Sequence, residues 1–581
     1  MKFEKQPAIR ISGRMCSSGW RQVTGIIKDH IKSNSSGHCV VCVECYQGTF
    51  EDEIESNLVK ILKPTSVFRS KDYFHSEEKI REITQPDVTD DRVFGRITSL
   101  EMDDFISPDK KELIQNKISE DSSGVILIIG PGASLISSEV DVLIYADMAR
   151  WEIQQRMRNN EVNNLGLHNS DANIEEKYKR GYFVDWRVCD RLKKQIYTKI
   201  DFVLDTNEKG DPQLIDKETF DYALQQTVKQ PFSIVPFFDP GPWGGQWMRK
   251  VCNLNGEPDN YAWCFNCVPE ENSVLFEFDE GSIMELPSIN IVFFKSKELL
   301  GQQVYKRFGD EFPIRFDFLD TVEGGNLSLQ VHPSEEYIKQ AFGLDYTQDE
   351  SYYMLDAEEG ASVYLGLKKG IDPDEMIADL KNANNGGPEF DAGTYSISWP
   401  TKKHDHFSIP NGTVHCSGEG CMVLEISATP YIFTFKLWDW GRLGLDGKPR
   451  PINIERGEKV IKWDREEEWV SNNLINQIEK VDEGDGWIEE KTGLHESQFI
   501  ETRRHWFSKP VSHKANGSVH VLNLVEGKEA TVSSPDDEFE PFIVHYAETF
   551  IIPAQIKEYV IKPTGESKGH RIATIKAFVR N

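Results

Sequence analysis

The chain has 581 residues, which at about 150 residues per domain sets an expectation of three or four domains. Hydrophobic residues make up 39%, with 13 Trp, 32 Phe and 18 Tyr, enough to fill buried cores and to exclude wholesale disorder. Against 66 Lys and Arg stand 95 Asp and Glu, a net charge of −29, and so acidic a surface excludes a general binder of nucleic acid or anionic membrane.

No apolar run approaches the roughly 20 residues that span a bilayer. Residues 1–20 are polar and basic without an apolar core, so no signal peptide is expected. The ten cysteines then read as reduced thiols of a cytoplasmic protein.

Residues 1–230 read as an α/β domain. Val40–Val43, Val125–Ile129 and Val142–Ala146 are short buried strands, and Glu51–Leu62 and Met148–Asn159 are helices between them. Strands alternating with helices predict a layered, mostly parallel sheet. From about Phe232 the pattern changes to short alternating strands, turn residues and many Trp, which predicts a mainly-β barrel or jelly roll over 231–463. One helical insert is expected at about 372–385, where Asp372 caps Pro373 at the first helical position and Asn384-Asn385-Gly386-Gly387 ends it. Residues 464–489 read as a linker, helical and acidic over 464–482, and 490–581 as a second, smaller β-domain.

The sharpest chemical signal is Asn326-Leu-Ser-Leu-Gln-Val-His332. As a strand it turns Leu327, Leu329 and Val331 to one face and Gln330 and His332 to the other, with the Cβ atoms of the last two about 6–7 Å apart. Pro410-Asn-Gly-Thr-Val-His415 is a tight turn delivering a second imidazole, and Glu350 opens the apolar run Ser351–Leu355. One carboxylate, two imidazoles and an amide oxygen suit a divalent cation with one position left open. Zinc heads the candidates, and Mn²⁺, Fe²⁺ or Ni²⁺ stay open because an amide ligand is uncommon for zinc.

These motifs resemble type I phosphomannose isomerases of the cupin superfamily: Leu-Ser-Leu-Gln330-Val-His332-Pro, then Glu350, then Ile-Pro-Asn-Gly-Thr-Val-His415. Asp-Pro-Gly-Pro-Trp-Gly-Gly245 resembles the start of that fold, and Leu-Trp-Asp439-Trp-Gly-Arg442 with Asp446-Gly-Lys448-Pro-Arg450 resembles its later strand and turn. The resemblance covers about 232–581. It implies metal ligands Gln330, His332, Glu350 and His415, and interconversion of mannose 6-phosphate and fructose 6-phosphate through an enediol. Gln348 stands where the family carries Lys, and Lys436 where it carries Arg. Lys436 and Arg442 are the expected catalytic cations, and Arg315, Lys436 and Arg442 the expected substrate contacts. A noncatalytic sugar-phosphate sensor, or an isomerase of a related sugar, is the alternative these departures leave.

In the first domain, Val40-Val-Cys-Val-Glu44-Cys-Tyr-Gln-Gly48 resembles the phosphate-binding loop of uridine kinase-type P-loop proteins in position only. The Lys is missing, and Glu44 has the wrong sign to face phosphate. Ile128-Ile-Gly130-Pro-Gly, then Val142–Asp147, then Trp151–Arg158 resemble that family's later strand and Arg-rich helix. A degenerate kinase-like domain without phosphoryl transfer is therefore expected, with dimerisation or allosteric sensing as its open roles. The expected partner is a small-molecule sugar phosphate, with a homodimer left open. Cys264 and Cys267 read as buried thiols, His404-Asp405-His406 as a solvated turn, part of a site mouth or an adventitious metal site, and His545 with Glu548 as a degenerate second turn without a metal.

Overall fold

The computed structural model describes residues 2–580 except 35, 36, 122, 255, 257, 429–432, 444–449 and 451. Asp446 and Lys448 lie outside the described residues. The chain divides into two units: Ala8–Gln226 with Ser273–Phe294, and Met1–Pro7 with Thr227–Asn272 and Lys295–Asn581.

The Ala8–Gln226 unit is built on a seven-stranded sheet. Its parallel strands are β1 (His38–Cys45), β2 (Ser66–Arg69), β3 (Gly124–Gly130), β4 (Val142–Asp147) and β5 (Phe202–Asp205), in the spatial order β5-β4-β1-β3-β2. Gln213–Asp216 continues the sheet antiparallel beyond β5. β1 is a near-continuous apolar run because a central parallel strand is covered on both faces. Val41, Val43, Leu127, Ile129 and Ile144 are among its buried core, each such side chain stabilising the fold by about 1.5–3 kcal/mol. Helix α1 (Glu51–Leu62) follows β1, with Glu51, Asp52 and Glu53 in its first turn, where carboxylates complement the helix dipole. Cys39, Cys42 and Cys45 are buried thiols of β1.

Glu44 does not face a ligand loop. Its Oε1 accepts from the Gly132 amide at 2.6 Å, and its Oε2 from the Ser134 amide at 2.9 Å and hydroxyl at 2.7 Å. The carboxylate thus binds the Gly130-Pro-Gly132 turn from within the unit. Burial pushes it up to about 7 against these hydrogen bonds. Glu44→Gln sets an NH₂ donor against an N–H donor. It is expected to cost about 1–3 kcal/mol, seen as an earlier melting transition of this unit with divalent-metal content unchanged.

The other unit holds two β-modules. In the first, β6 (Arg315–Asp320), β7 (Leu329–Val331), β8 (Asp349–Ala357), β9 (Ser362–Leu367), β10 (His406–Ile409), β11 (His415–Ser417), β12 (Cys421–Ala428) and β13 (Phe435–Trp438) form two facing sets. One sheet runs β10-β8-β12-β6 and on through Trp263–Cys267 to Phe237–Asp239, and the other runs Ser396–Pro400 to β9-β11-β7-β13. Neighbours within each sheet are antiparallel. Helix α2 (Pro373–Asn384) is the insert, with the Asp372 side chain accepting from the amides of Asp374 and Glu375. The second module has a six-stranded and a four-stranded sheet, closed over a core that includes Phe507, Leu522, Val532 and Ile561.

Of the helix expected over 464–482, only Glu467–Asn473 is helical, and Glu479–Gly484 is a strand paired with Trp487–Thr492. No helix among the described residues is long and apolar enough to cross a membrane.

Candidate metal centre

The alternation of β7 and the turn before β11 bring the expected ligands together. Gln330 on β7 is in register with His415 on β11, His332 follows the end of β7, and Glu350 is the second residue of β8. Gly412 has φ +81°, and a Cβ there would lie 2.7 Å from Lys462 Cγ and 2.9 Å from the Val460 carbonyl. The turn therefore requires glycine.

His332, Glu350 and His415 are essentially inaccessible to solvent, and one ligand atom from each lies within 4.8 Å of the others. His332 Nδ1 lies 3.0 Å from the Phe433 carbonyl and His415 Nδ1 lies 2.9 Å from the Thr413 carbonyl. A carbonyl only accepts, so both Nδ1 atoms carry the proton and both Nε2 atoms present lone pairs. His332 Nε2 is 3.1 Å from Glu350 Oε2, and His415 Nε2 is 2.9 Å from Glu350 Oε1. Two lone pairs thus face two carboxylate oxygens in a dry interior, and His332 Nε2 and Glu350 Oε1 have no hydrogen-bond partner. Such an arrangement is repulsive until a cation enters, so the donor set fits a divalent metal. Gln330 Nε2 is 3.2 Å from His415 Nε2, and turning the amide over brings its oxygen to the same place.

Gln348 grips this centre. Its Nε2 donates to Glu350 Oε2 at 2.7 Å, and its Oε1 accepts from the Phe433 amide at 3.1 Å. The same Phe433 backbone orients His332 through its carbonyl. Gln348→Ala is expected to weaken metal binding about 10- to 100-fold, measured by competition with a chromophoric chelator.

Lys436 on β13 is in register with Gln330 and shares its face. Arg315 is buried on β6, opposite Ser427, which in turn is opposite Glu350, and its Nη2 is 3.9 Å from Glu270 Oε2. Arg442 is placed differently: its Nη2 donates to the Asn326 carbonyl, and its Nη1 is buried without a partner. Asp439 accepts from the Ser328 hydroxyl at 2.9 Å and pairs with Arg450 at 2.8 Å.

One group escaped the sequence reading. Glu425 on β12 is in register with Tyr352 and Asp317, one rung from Glu350 on the same face. Burial, then the charges of Glu350 and Asp317, push it well above the usual carboxylate range. Its signal was the polar alternation Glu425, Ser427 in an otherwise apolar strand.

His404 and His406 serve the other face. His406 is buried in β10, with Nε2 2.9 Å from the Ser351 hydroxyl and Nδ1 3.0 Å from the Thr492 hydroxyl, and burial pushes it down to about 3. His404 sits between the Tyr353 hydroxyl at 2.9 Å and Glu526 at 3.0 Å. Ser351 and Tyr353 point away from Glu350, so neither histidine lines the metal site's mouth: His404 lies half-buried in the turn before β10, and His406 opens the strand. His545 pairs with Glu548 at 3.0 Å.

A model described as a domain of unknown function, DUF8485, matches residues 19–229. Mannose-6-phosphate isomerase ManA of Bacillus subtilis is 24% identical over 234 residues, 40% of this chain and 68% of the relative. The mannose-6-phosphate isomerase of Streptococcus mutans is 26% identical over 223 residues, 38% of this chain and 64% of the relative. The crystal structure of the mannose 6-phosphate isomerase from Bacillus subtilis superposes with a TM-score of 0.48 at 18% identity, covering 60% of this chain and 99% of that one. The chain thus resembles mannose-6-phosphate isomerases over 38–40% of its length, and its residues 19–229 match a domain of unknown function.

Proposed function

We propose that the chain is a metal-dependent aldose–ketose isomerase that interconverts mannose 6-phosphate and fructose 6-phosphate. The observation that carries this reading is the pair of imidazole lone pairs facing the two oxygens of Glu350, an arrangement that calls for a cation. His332 Nε2, Glu350 and His415 Nε2 hold the ion, and Gln330 completes the set through its amide oxygen. A bound divalent ion, zinc first, supplies Lewis-acid stabilisation of the negative charge that develops on the sugar oxygens in the enediol.

The protein's own groups do the rest. Glu425, on the face of Glu350 and in a dry interior, carries the proton between C1 and C2. Lys436, beside Gln330, stabilises charge on the sugar as a point cation rather than a bidentate fork. Arg442 contributes its unpartnered Nη1 to substrate, and Arg315 balances the acid-rich face that Asp317, Glu350 and Glu425 create. The amino-terminal unit, whose parallel strands run in the order 2-3-1-4-5 in chain numbering, is read as a kinase-like scaffold without phosphoryl transfer, since Glu44 is spent on the Gly130–Gly132 turn.

The test is elemental analysis of purified protein together with a coupled assay on mannose 6-phosphate. Metal bound with turnover supports the isomerase, and metal bound without turnover replaces it with a sugar-phosphate sensor. Protein that takes up no divalent ion removes the basis of both.

A further inference from the structure

The turn that presents His415 is flanked by a segment that the metal centre does not use. The Lys462 amide donates to the Gly412 carbonyl at 2.9 Å, and the Gly412 amide donates to the His332 carbonyl at 3.0 Å. Arg465 follows one turn later, its amide bonded to the Lys462 carbonyl at 3.1 Å, while its own carbonyl accepts from the Leu367 amide at 2.8 Å at the end of β9. β7 ends, β9 ends and β11 begins at this same end of their sheet, the end at which the metal ligands sit. Residues 462–465 therefore lie along the rim of the metal-binding end.

Both side chains are half-buried cations. The Arg465 guanidinium lies flat on Trp469, 3.5 Å from the ring centroid, and its Nε is buried without a hydrogen-bond partner. Lys462 is packed with its stem against Gly412, and neither cation forms an ion pair among the described residues. The nearby acids do not answer them. Asp349 accepts from the Asn411 amide at 2.8 Å and side chain at 2.9 Å, and Asp464 is exposed. Burial, and then the charge of Arg465, push Lys462 down, with Asp349 and Asp464 opposing. In a chain of net charge −29, two adjacent cations held half-dry without a counter-ion are costly to keep unless an anion joins them. In the same turn the Thr413 hydroxyl, 1% exposed, has no hydrogen-bond partner.

We propose that Lys462 and Arg465 form the subsite for the substrate's phosphate group, a dianion held at the rim while the sugar reaches the metal ligands. Lys supplies a mobile point charge, and Arg, held flat by Trp469, supplies oriented N–H donors. This rests on the isomerase reading for the identity of the sugar, but the anion subsite stands on its own geometry.

The experiment uses zinc-loaded full-length protein, with Lys462→Met keeping the stem against Gly412 and Lys462→Arg keeping the charge. With mannose 6-phosphate, Lys462→Met is expected to raise KM about tenfold or more, the loss of one charge-assisted bond, with kcat within about threefold, and Lys462→Arg restores most of the loss. Inorganic phosphate inhibits the wild type competitively and is expected to weaken by the same factor in Lys462→Met, while free mannose shows no difference between the two proteins. An unchanged KM overturns the subsite and leaves the isomerase standing. Should the wild type show no turnover, the isomerase reading fails alone, and calorimetry with inorganic phosphate decides the subsite. Binding that weakens about tenfold in Lys462→Met supports it, and equal binding, or none by the wild type, overturns it.

Discussion

His332→Ala is expected to abolish retention of the divalent ion and, with it, turnover of mannose 6-phosphate, while the amino-terminal unit melts at the wild-type temperature. The size of the effect follows from the geometry. His332 Nε2 and His415 Nε2 face different oxygens of the same carboxylate, so deleting one imidazole leaves a single nitrogen, one acid and a weak amide oxygen, too few to hold a metal tightly against water. The deletion also leaves Glu350 in a dry interior with one fewer imidazole beside it. That costs stability of the β-module itself, because an unpaired buried charge is destabilising. His332→Gln, which keeps a polar side chain of similar reach, separates the two effects: it is expected to fold with near-wild-type melting of both units and still bind metal at least about 10-fold more weakly. The measurements are elemental analysis after gel filtration, calorimetric melting and the coupled assay. Stripping the wild type with a chelator should reproduce the His332→Ala activity, and restoring zinc should recover it. A His332→Ala protein that keeps both its ion and its turnover would leave the proposed ligand set without support.

How far this centre was legible in the sequence depends on the range of the contacts that make it. Leu329, Gln330 and Val331 alternate because a strand alternates, so the shared face of Gln330 and His332 could be read locally, although the strand itself spans only Leu329–Val331. The Pro410–Gly412 turn was equally local. Gln348 was visible only as a missing lysine. Its grip on Glu350 and on the Phe433 backbone needs two segments 85 residues apart in sequence to meet, which no spacing announces. His404 and His406 read as a loop because Lys402–Asp405 is polar. Yet His406 opens β10, and the polar atoms of its ring are met by Ser351 and Thr492 from strands far along the chain. The acidic stretch 464–482 read as one helix on composition. Glu479–Gly484 is instead held as a strand by its hairpin partner Trp487–Thr492, a choice made by pairing rather than by intrinsic preference. Glu44 is the clearest case of sign without place. Its charge was read as hostile to phosphate, but the turn it binds lies 88 and 90 residues further on.

The second large effect belongs to Glu425. In Glu425→Gln the side chain keeps its shape, but it can no longer accept and return a proton. Turnover is therefore expected to fall by about 10²- to 10⁴-fold, the usual contribution of a positioned acid–base group. Metal content should be retained, since the ligand atoms of His332, Glu350 and His415 are untouched. KM for mannose 6-phosphate should change little, because Glu425 is assigned to the reacting carbons and not to the phosphate. Burial and the neighbouring acids hold Glu425 well above the usual carboxylate range, and the amide keeps its volume in that dry interior, so melting should shift little. A structural role and a proton-carrying role then part cleanly. The first predicts an early melting transition, a lowered metal content, or both. The second predicts an intact, metal-loaded protein that no longer exchanges solvent deuterium into the C1 or C2 position of the sugar. Solvent exchange at the wild-type rate in Glu425→Gln would move the proton-carrying role to another group, with Lys436, on the facing sheet beside Gln330, next in line.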